Sequence, residues 1–184
     1  VWNGNAMLIY GGYGDVGANL DIYIPGAGAP GGRSYDPAGN AWVPLSQVGE
    51  PSARAQHSAV WDGTRMLLFG GTNGATEQGQ GFKYESNSWV AFSGTPPAAR
   101  YLHTAVWIDN PGVMVVWGGR DSLVGPLSSG GVYNPATNSW EQETPITIAA
   151  RYWHTAVSTG TSMVAWGGFN SGDVALGDGG VYTP

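Results

Sequence analysis

The dipeptide Gly-Gly, each time after a four-residue apolar run, constrains this chain more than any other feature. It stands at Gly11-Gly12, Gly70-Gly71, Gly118-Gly119 and Gly167-Gly168. The runs before it are Met7-Leu-Ile-Tyr10, Met66-Leu-Leu-Phe69, Met114-Val-Val-Trp117 and Met163-Val-Ala-Trp166. All four methionines sit four residues before the first glycine of a pair. All three histidines fall in register too, in Arg54-Ala-Gln-His57, Arg100-Tyr-Leu-His103 and Arg151-Tyr-Trp-His154. Self-similarity of this kind identifies a repeat architecture before any single element is assigned.

A tyrosine, a turn and a tryptophan complete the unit, as Tyr35…Trp42, Tyr84…Trp89 and Tyr133…Trp140, and Tyr182-Thr-Pro184 opens a further copy. From Arg54 to Arg100 is 46 residues and from Arg100 to Arg151 is 51. A period near 50 suits four strands per unit. Strand A follows the histidine and strand B is the apolar run ending at Gly-Gly. Strand C ends at the tyrosine, and strand D carries the tryptophan. Continuous apolar B runs suit strands buried on both faces. Asn3-Gly4 and Asp62-Gly63 are turn signals between A and B, as Asp36-Pro37 and Asn134-Pro135 are between C and D. Methionine at the head of each B run reads as an adaptable filler between units, and Trp42, Trp61, Trp89, Trp107 and Trp140 read as core.

The combination of hydrophobic strand, Gly-Gly, and Tyr and Trp at fixed offsets resembles the kelch repeat. The opening Arg-x-x-His-Thr-Ala-Val-Trp at Arg100–Trp107 is most similar to its bacterial form. The resemblance covers nearly all of residues 1–184 and implies an all-β fold, a propeller of four-stranded blades. The repeats divide at about 1–50, 51–97, 98–147 and 148–184. The first lacks most of strand A and the last lacks strand D, which leaves about 14 strands, or 3.5 blades. Propellers close to remove exposed strand edges. A fragment of a longer chain, or closure by self-association with another copy, is therefore expected. The stretch after Gly12 is longer than its counterparts. It has 22 residues before Tyr35, against 12 between Gly71 and Tyr84 and 13 between Gly119 and Tyr133. The segment 13–32 is thus an insertion in the first blade.

Composition narrows the function. Charged residues are 11% of the chain, with a net charge of −6 and Lys83 as the sole lysine, so no basic field draws in nucleic acid. No apolar run reaches the roughly 20 residues of a membrane span. With no cysteine, the chain has no disulfide, no thiolate and no Cys-ligated metal. It also lacks the Cys-Tyr cross-link that the copper-oxidase type of kelch propeller requires. No Gly-x-Ser-x-Gly, phosphate loop or His-Glu-x-x-His is present.

Up-and-down strand order places the B–C and D–A loops on one face. The B–C loops vary between copies, and kelch propellers generally bind through that face. Positions that differ between copies are the specificity candidates. Ala55, Tyr101 and Tyr152 form one equivalent set, and Gln56, Leu102 and Trp153 a second. Tyr13, Thr72, Arg120 and Phe169 form a third. Aromatic and arginine side chains dominate them, as they do interface hot spots. Arg54, Arg100 and Arg151 read chiefly as structural, with a guanidinium donor left to point at a ligand. The histidines read as structural rather than as a zinc ring, and Asp15, Asp121, Asp173 and Asp178 as solvated loop carboxylates. The candidate contact residues are Tyr13, Arg54, Arg100, Tyr101, Arg120, Arg151, Trp153 and Phe169. The expectation is a non-catalytic binding or scaffold module, cofactor-free, that recognises protein or glycan from an exported or cell-surface location. An enzyme of kelch-propeller type, such as a carbohydrate-active oxidase or isomerase, is the alternative, and a structural part of a surface assembly is a third reading.

Overall fold

The computed structural model describes residues 1–15, 20–22, 31–141 and 147–184, at 13–15 and 20–22 as backbone alone. Among the described residues, four antiparallel sheets of three or four strands follow one another along the chain, with two further two-stranded pairs. The first unit holds β1 (Met7–Tyr10), the short pair β2 (Tyr13–Asp15) and β3 (Leu20–Ile22), then β4 (Gly32–Asp36) and β5 (Ala41–Pro44). The second holds β6 (Ser58–Trp61), β7 (Met66–Phe69), β8 (Gly81–Glu85) and β9 (Ser88–Ala91). The third runs through β10 (Thr104–Ile108), β11 (Val113–Trp117), β12 (Arg120–Asp121), β13 (Gly125–Pro126), β14 (Gly130–Asn134) and β15 (Ser139–Glu141). The fourth consists of β16 (Thr155–Ser158), β17 (Met163–Trp166) and β18 (Gly179–Tyr182).

Sheet order is β6-β7-β8-β9 and β10-β11-β14-β15 in the middle units, and β1-β4-β5 and β16-β17-β18 in the outer two. This is the A-B-C-D succession, with strand A absent from the first sheet and strand D from the last. The all-β fold and sequential antiparallel sheets are consistent with a β-propeller. No helix occurs among the described residues, and so none long and apolar enough to cross a membrane. Within the 13–32 insertion, β2 pairs with β3 through Tyr13↔Ile22, while 16–19 and 23–30 lie outside the described residues.

Register explains why the same residue types recur. In the second sheet Trp61 pairs with Met66, Met66 with Tyr84 and Tyr84 with Trp89, so the four form one row on one face. The third sheet repeats it as Trp107, Met114, Tyr133 and Trp140. Strand alternation sends this row toward the preceding sheet and the intervening residues toward the next. Each junction is therefore an asymmetric core. Met66, Leu68 and Trp89 pack on Leu8 and Tyr10 of the first sheet. Met114, Val116 and Tyr133 pack on Val60, Leu67 and Phe69, and Met163 and Ala165 on Val106, Val115 and Trp117. Burying side chains of this size contributes about 1.5–3 kcal/mol each. The tryptophans of β9 and β15 set their rings edge-on to the last residue of strand B in the sheet before, Trp89 on Tyr10 at 4.8 Å and Trp140 on Phe69 at 4.9 Å.

Trp42 departs from its expected place in the core. It is 47% exposed, because its row faces away from the second sheet and no other sheet of the described residues stands on it. The turn before each such tryptophan is built alike. Asn40, Asn87 and Asn138 take positive φ, and their side-chain oxygens accept from the hydroxyls of Tyr35, Tyr84 and Tyr133.

In the first three pairs, the first glycine lets two sheets meet. At Gly118, φ is +65°, and an added Cβ would stand 2.6 Å from Cε1 of His154 and 3.0 Å from the Arg151 carbonyl, both from the fourth unit. Gly118→Ala is expected to cost about 2–3 kcal/mol, combining left-handed strain with displacement of the neighbouring unit. Gly63→Ala also has a positive φ, but nothing lies within 4 Å of its Cβ, so it should cost about 1 kcal/mol. Equal urea midpoints for the two variants would refute this account.

Candidate functional site

The loop-face arginines are placed by the repeat, and not at its surface. Arg54, Arg100 and Arg151 are each 0% exposed. Nε of Arg100 donates to the Ala98 carbonyl at 2.8 Å, and Nη1 donates to the carbonyls of Gly118 at 3.1 Å and Ser129 at 2.6 Å. Arg54 binds the carbonyls of Ser52, Gly70 and Gln80 in the same way. Arg151 binds those of Ala149, Gly167 and Asp178, with Asp178 adding a carboxylate at 2.9 Å. Each guanidinium clamps the D–A loop to the end of strand B and the start of strand C. Burial holds the Arg54 guanidinium down at about 10. The main chain at the same residue reaches backward: N–H groups of Gly12, Gly71 and Gly119 donate to the carbonyls of Arg54, Arg100 and Arg151. The donor that was to point at a ligand is turned inward, which removes these three arginines from the contact surface.

The histidines belong to the same frame. Nε2 of His103 meets Ser58 Oγ at 2.8 Å, and Nε2 of His154 meets Thr104 Oγ1 at 2.7 Å, each time a hydroxyl of the preceding sheet. Their rings stand edge-on to Phe69 and Trp117, as His57 does to Tyr10. Burial, with the neighbouring arginine second, lowers His57 and His154 to about 4 and His103 well below its usual value. No three His, Asp or Glu side chains converge as a metal site among the described residues.

Of the candidate contact residues with described side chains, Arg120, Trp153 and Phe169 stay at least partly at the surface, between the third and fourth units. The two variable sets on either side of the Gly-Gly frame prove to be bonded to each other. Tyr101 and Arg120 exchange backbone hydrogen bonds at 3.0 and 2.8 Å, and Tyr152 and Phe169 at 3.1 and 2.9 Å. Ala55 and Thr72 do the same in the second unit. Each B–C loop then folds back as a tiny hairpin, by Thr72↔Glu77, Arg120↔Pro126 and Phe169↔Ala175. The residue after each bridge, Gln56, Leu102 or Trp153, has a positive φ. N–H of Leu102 donates to Gln56 and N–H of Trp153 to Leu102, so these positions step from unit to unit along the loop face.

At the fourth unit this scaffold carries an aromatic cluster. Trp153 is 61% exposed and lies 6.0 Å from the Tyr152 ring and 6.3 Å from Phe169. The Arg120 guanidinium sits 5.1 Å over Tyr152. Asp173, at positive φ, closes the group. It accepts from the Tyr152 hydroxyl at 2.5 Å and pairs with Arg120 at 3.7 Å. The hydrogen bond to Asp173 raises the Tyr152 phenol above its ordinary range. Val174, next to Asp173 in the chain, is exposed, as are Leu123 and Val124 on the third unit's hairpin tip, where the N–H of Ser122 donates to Glu77 of the second unit at 3.2 Å. Asp121 caps that tip by accepting from the N–H groups of Leu123 and Val124. Three of the candidate contact residues, Arg120, Trp153 and Phe169, thus come together. Tyr101 sits one unit back, half-buried. The Tyr13 side chain lies outside the described residues. Asp173 was legible only as a loop carboxylate, and the apolar hairpin tips carried no repeat signal at all.

The order of sheets, the Gly-Gly junction and the loop face are those of a repeat protein. Over 113 residues the chain is 32% identical to Kelch domain-containing protein 1 of Mus musculus. The chain is similar to a kelch protein. The match covers 58% of this chain and 27% of the mouse protein, so the chain spans about a quarter of the relative it matches. No family model matches the chain. The kelch-like relative fits the repeats in the sequence, and the antiparallel all-β sheets fit them in structure.

Proposed function

We propose that this chain is part of a kelch-type β-propeller and acts as a non-catalytic interaction module, with a protein as its partner. The contact surface is the loop face of the third and fourth blades, and its centre is Trp153 with Arg120, Tyr152, Phe169 and Asp173. One observation carries the reading: the repeated Arg54, Arg100 and Arg151 are buried in architecture, whereas among the described loop-face residues this cluster holds an exposed indole, Trp153, with the Arg120 guanidinium beside it over the Tyr152 ring. Trp, Tyr and Arg are the side chains that dominate binding energy at protein interfaces, and the exposed Val174 beside Asp173 adds apolar surface of the kind that protein contacts use. Similarity to a kelch domain-containing protein supports an interaction role. An exported or cell-surface setting, as in the bacterial repeats it resembles, goes with this proposal.

A glycan is the second reading, favoured by the Trp153 indole as a flat stacking surface. Both are tested by Trp153→Ala and Arg120→Ala, screened against protein and glycan arrays. Wild-type signal on a protein array should fall about 30-fold for Trp153→Ala, the loss of a typical hot spot, with the urea midpoint unchanged. Signal confined to glycans would replace the protein reading with the sugar one. Binding that survives both substitutions would place the site elsewhere.

A further inference from the structure

The B–C hairpin of the third unit lifts two large apolar side chains into solvent. Leu123 is 94% exposed and Val124 76%, more than any other large hydrophobic residue described. Sheets pack on both faces of this unit, so the exposure belongs to the hairpin itself. The turn does not call for these residues. In all three hairpins one short side chain holds the tip. Asn73 accepts from the N–H groups of Ala75 and Thr76, Asp121 from those of Leu123 and Val124, and Asn170 from those of Gly172 and Val174. The frame is shared, and the second unit fills it with Ala75 and Thr76 where the third has Leu123 and Val124. The third hairpin is also tied down on both sides. Arg120 pairs with Pro126 and Asp121 with Gly125 at its base. The Ser122 N–H reaches Glu77 of the second unit at 3.2 Å, and Arg120 reaches Asp173 of the fourth at 3.7 Å. A tip held in this way loses little freedom when it binds.

We propose that Leu123 and Val124 dock on an apolar surface with a basic rim on a partner protein. The inference rests on the reading of the loop face as a protein-contact surface, and it adds a second contact element with its own partner chemistry. Burying the two side chains supplies about 3–6 kcal/mol, enough for the centre of a protein interface. Carboxylates flank them. Asp121 commits Oδ1 to the tip and Glu77 commits Oε1 to Ser122, which leaves the second oxygen of each for a donor from the partner. Arg120, the cation of this hairpin, is turned to the fourth unit, where it lies 5.1 Å over Tyr152 and pairs with Asp173. The charge left beside the apolar tip is therefore negative, and its complement is a rim of Arg or Lys. A bilayer fits less well. Two aliphatic side chains bury fewer CH₂ groups than a single acyl chain, which itself anchors only marginally, and carboxylates are repelled by anionic headgroups.

Peptides selected from a random phage-displayed library on the intact polypeptide test this, with affinities read by fluorescence polarisation. The selected sequences should combine apolar residues with Arg or Lys. Leu123→Ser should weaken their binding about 30-fold and Val124→Ser about tenfold. Asp121→Asn removes the charge but keeps the acceptor that holds the turn, as Asn73 does in the second unit, and should weaken binding about threefold. Urea midpoints equal to that of wild type show that the variants have folded. Trp153→Ala, run beside them, separates this inference from the reading on which it rests. Binding that falls with Trp153→Ala but ignores Leu123→Ser sinks the docked tip and leaves the loop face standing, whereas binding that ignores both sinks the two together. Selected peptides without cations, or an Asp121→Asn variant that binds as wild type does, overturn the basic rim. A polypeptide that selects no peptide overturns the proposal. If it then co-sediments with phosphatidylcholine vesicles and Leu123→Ser does not, a membrane takes the place of the protein.

Discussion

Arg100→Met is expected to lower the unfolding free energy by about 3–4 kcal/mol, although it keeps the length of the side chain and lies outside the Trp153 cluster. The guanidinium supplies donors to three carbonyls on three segments: Ala98 in the D–A loop, Gly118 at the end of β11 and Ser129 before β14. Hydrogen bonds from a charged group contribute about 1.5–3 kcal/mol each. Methionine replaces none of them. Ser129 keeps the N–H of Gly118, and Ala98 is exposed enough to recruit water. The buried Gly118 carbonyl is left with a full desolvation penalty. Domains of this size are stable by about 5–15 kcal/mol, so the loss is a large part of the total. Arg120→Met, at the surface and loosely paired with Asp173, should cost under about 1 kcal/mol. Urea unfolding of the two variants decides. Similar midpoints would mean that the buried clamp contributes no more than a surface arginine.

The contrast between Arg100 and Arg120 shows what could be read from the sequence. Residues repeated in every unit were legible as architecture, because a role that each unit needs is met by the same side chain at the same place. The Met rows, the Tyr-turn-Trp pairs and the buried arginines and histidines all follow from that. Which sheet each of them touches was not legible. Register within a unit is local, whereas the contact of His103 with Ser58 depends on how one sheet lies on the next. Trp42 shows the consequence. It occupies the same repeat position as Trp89 and Trp140 but lacks a preceding sheet, so the motif implied core and the structure exposes it. In the loop face, variability marked Arg120, Trp153 and Phe169. The backbone bridges that draw variable positions together, Tyr101 to Arg120 and Tyr152 to Phe169, leave no pattern in side-chain identity.

The same architectural histidines should make the protein acid-sensitive in a window where most proteins are still stable. His57 and His154 are held to about 4 in the folded chain, and His103 well below its ordinary value. In each the main cause is burial, and the next is a buried arginine: Arg54 for His57, Arg151 for His154 and Arg100 for His103. Once unfolded, they titrate near 6.5. As pH falls below 6.5, the unfolded chain takes up protons that the folded chain refuses, so protonation favours unfolding. The stability contributed by the neutral rings is therefore complete above about pH 6.5 and is lost as pH falls toward 4. Each histidine contributes a slope of about 1.4 kcal/mol per pH unit, and the three together about 4. Against a total of about 5–15 kcal/mol, acid unfolding should set in between about pH 4 and 6, before most carboxylates have protonated. Urea midpoints measured from pH 7.5 to 4.5 should fall steeply below 6.5. His103→Gln keeps a hydrogen-bonding group opposite Ser58 and should flatten that slope by about a third, whatever its stability at pH 7.5. A midpoint that holds level from pH 7 to 5 would show that the rings titrate as they do in water and are not sealed between the sheets.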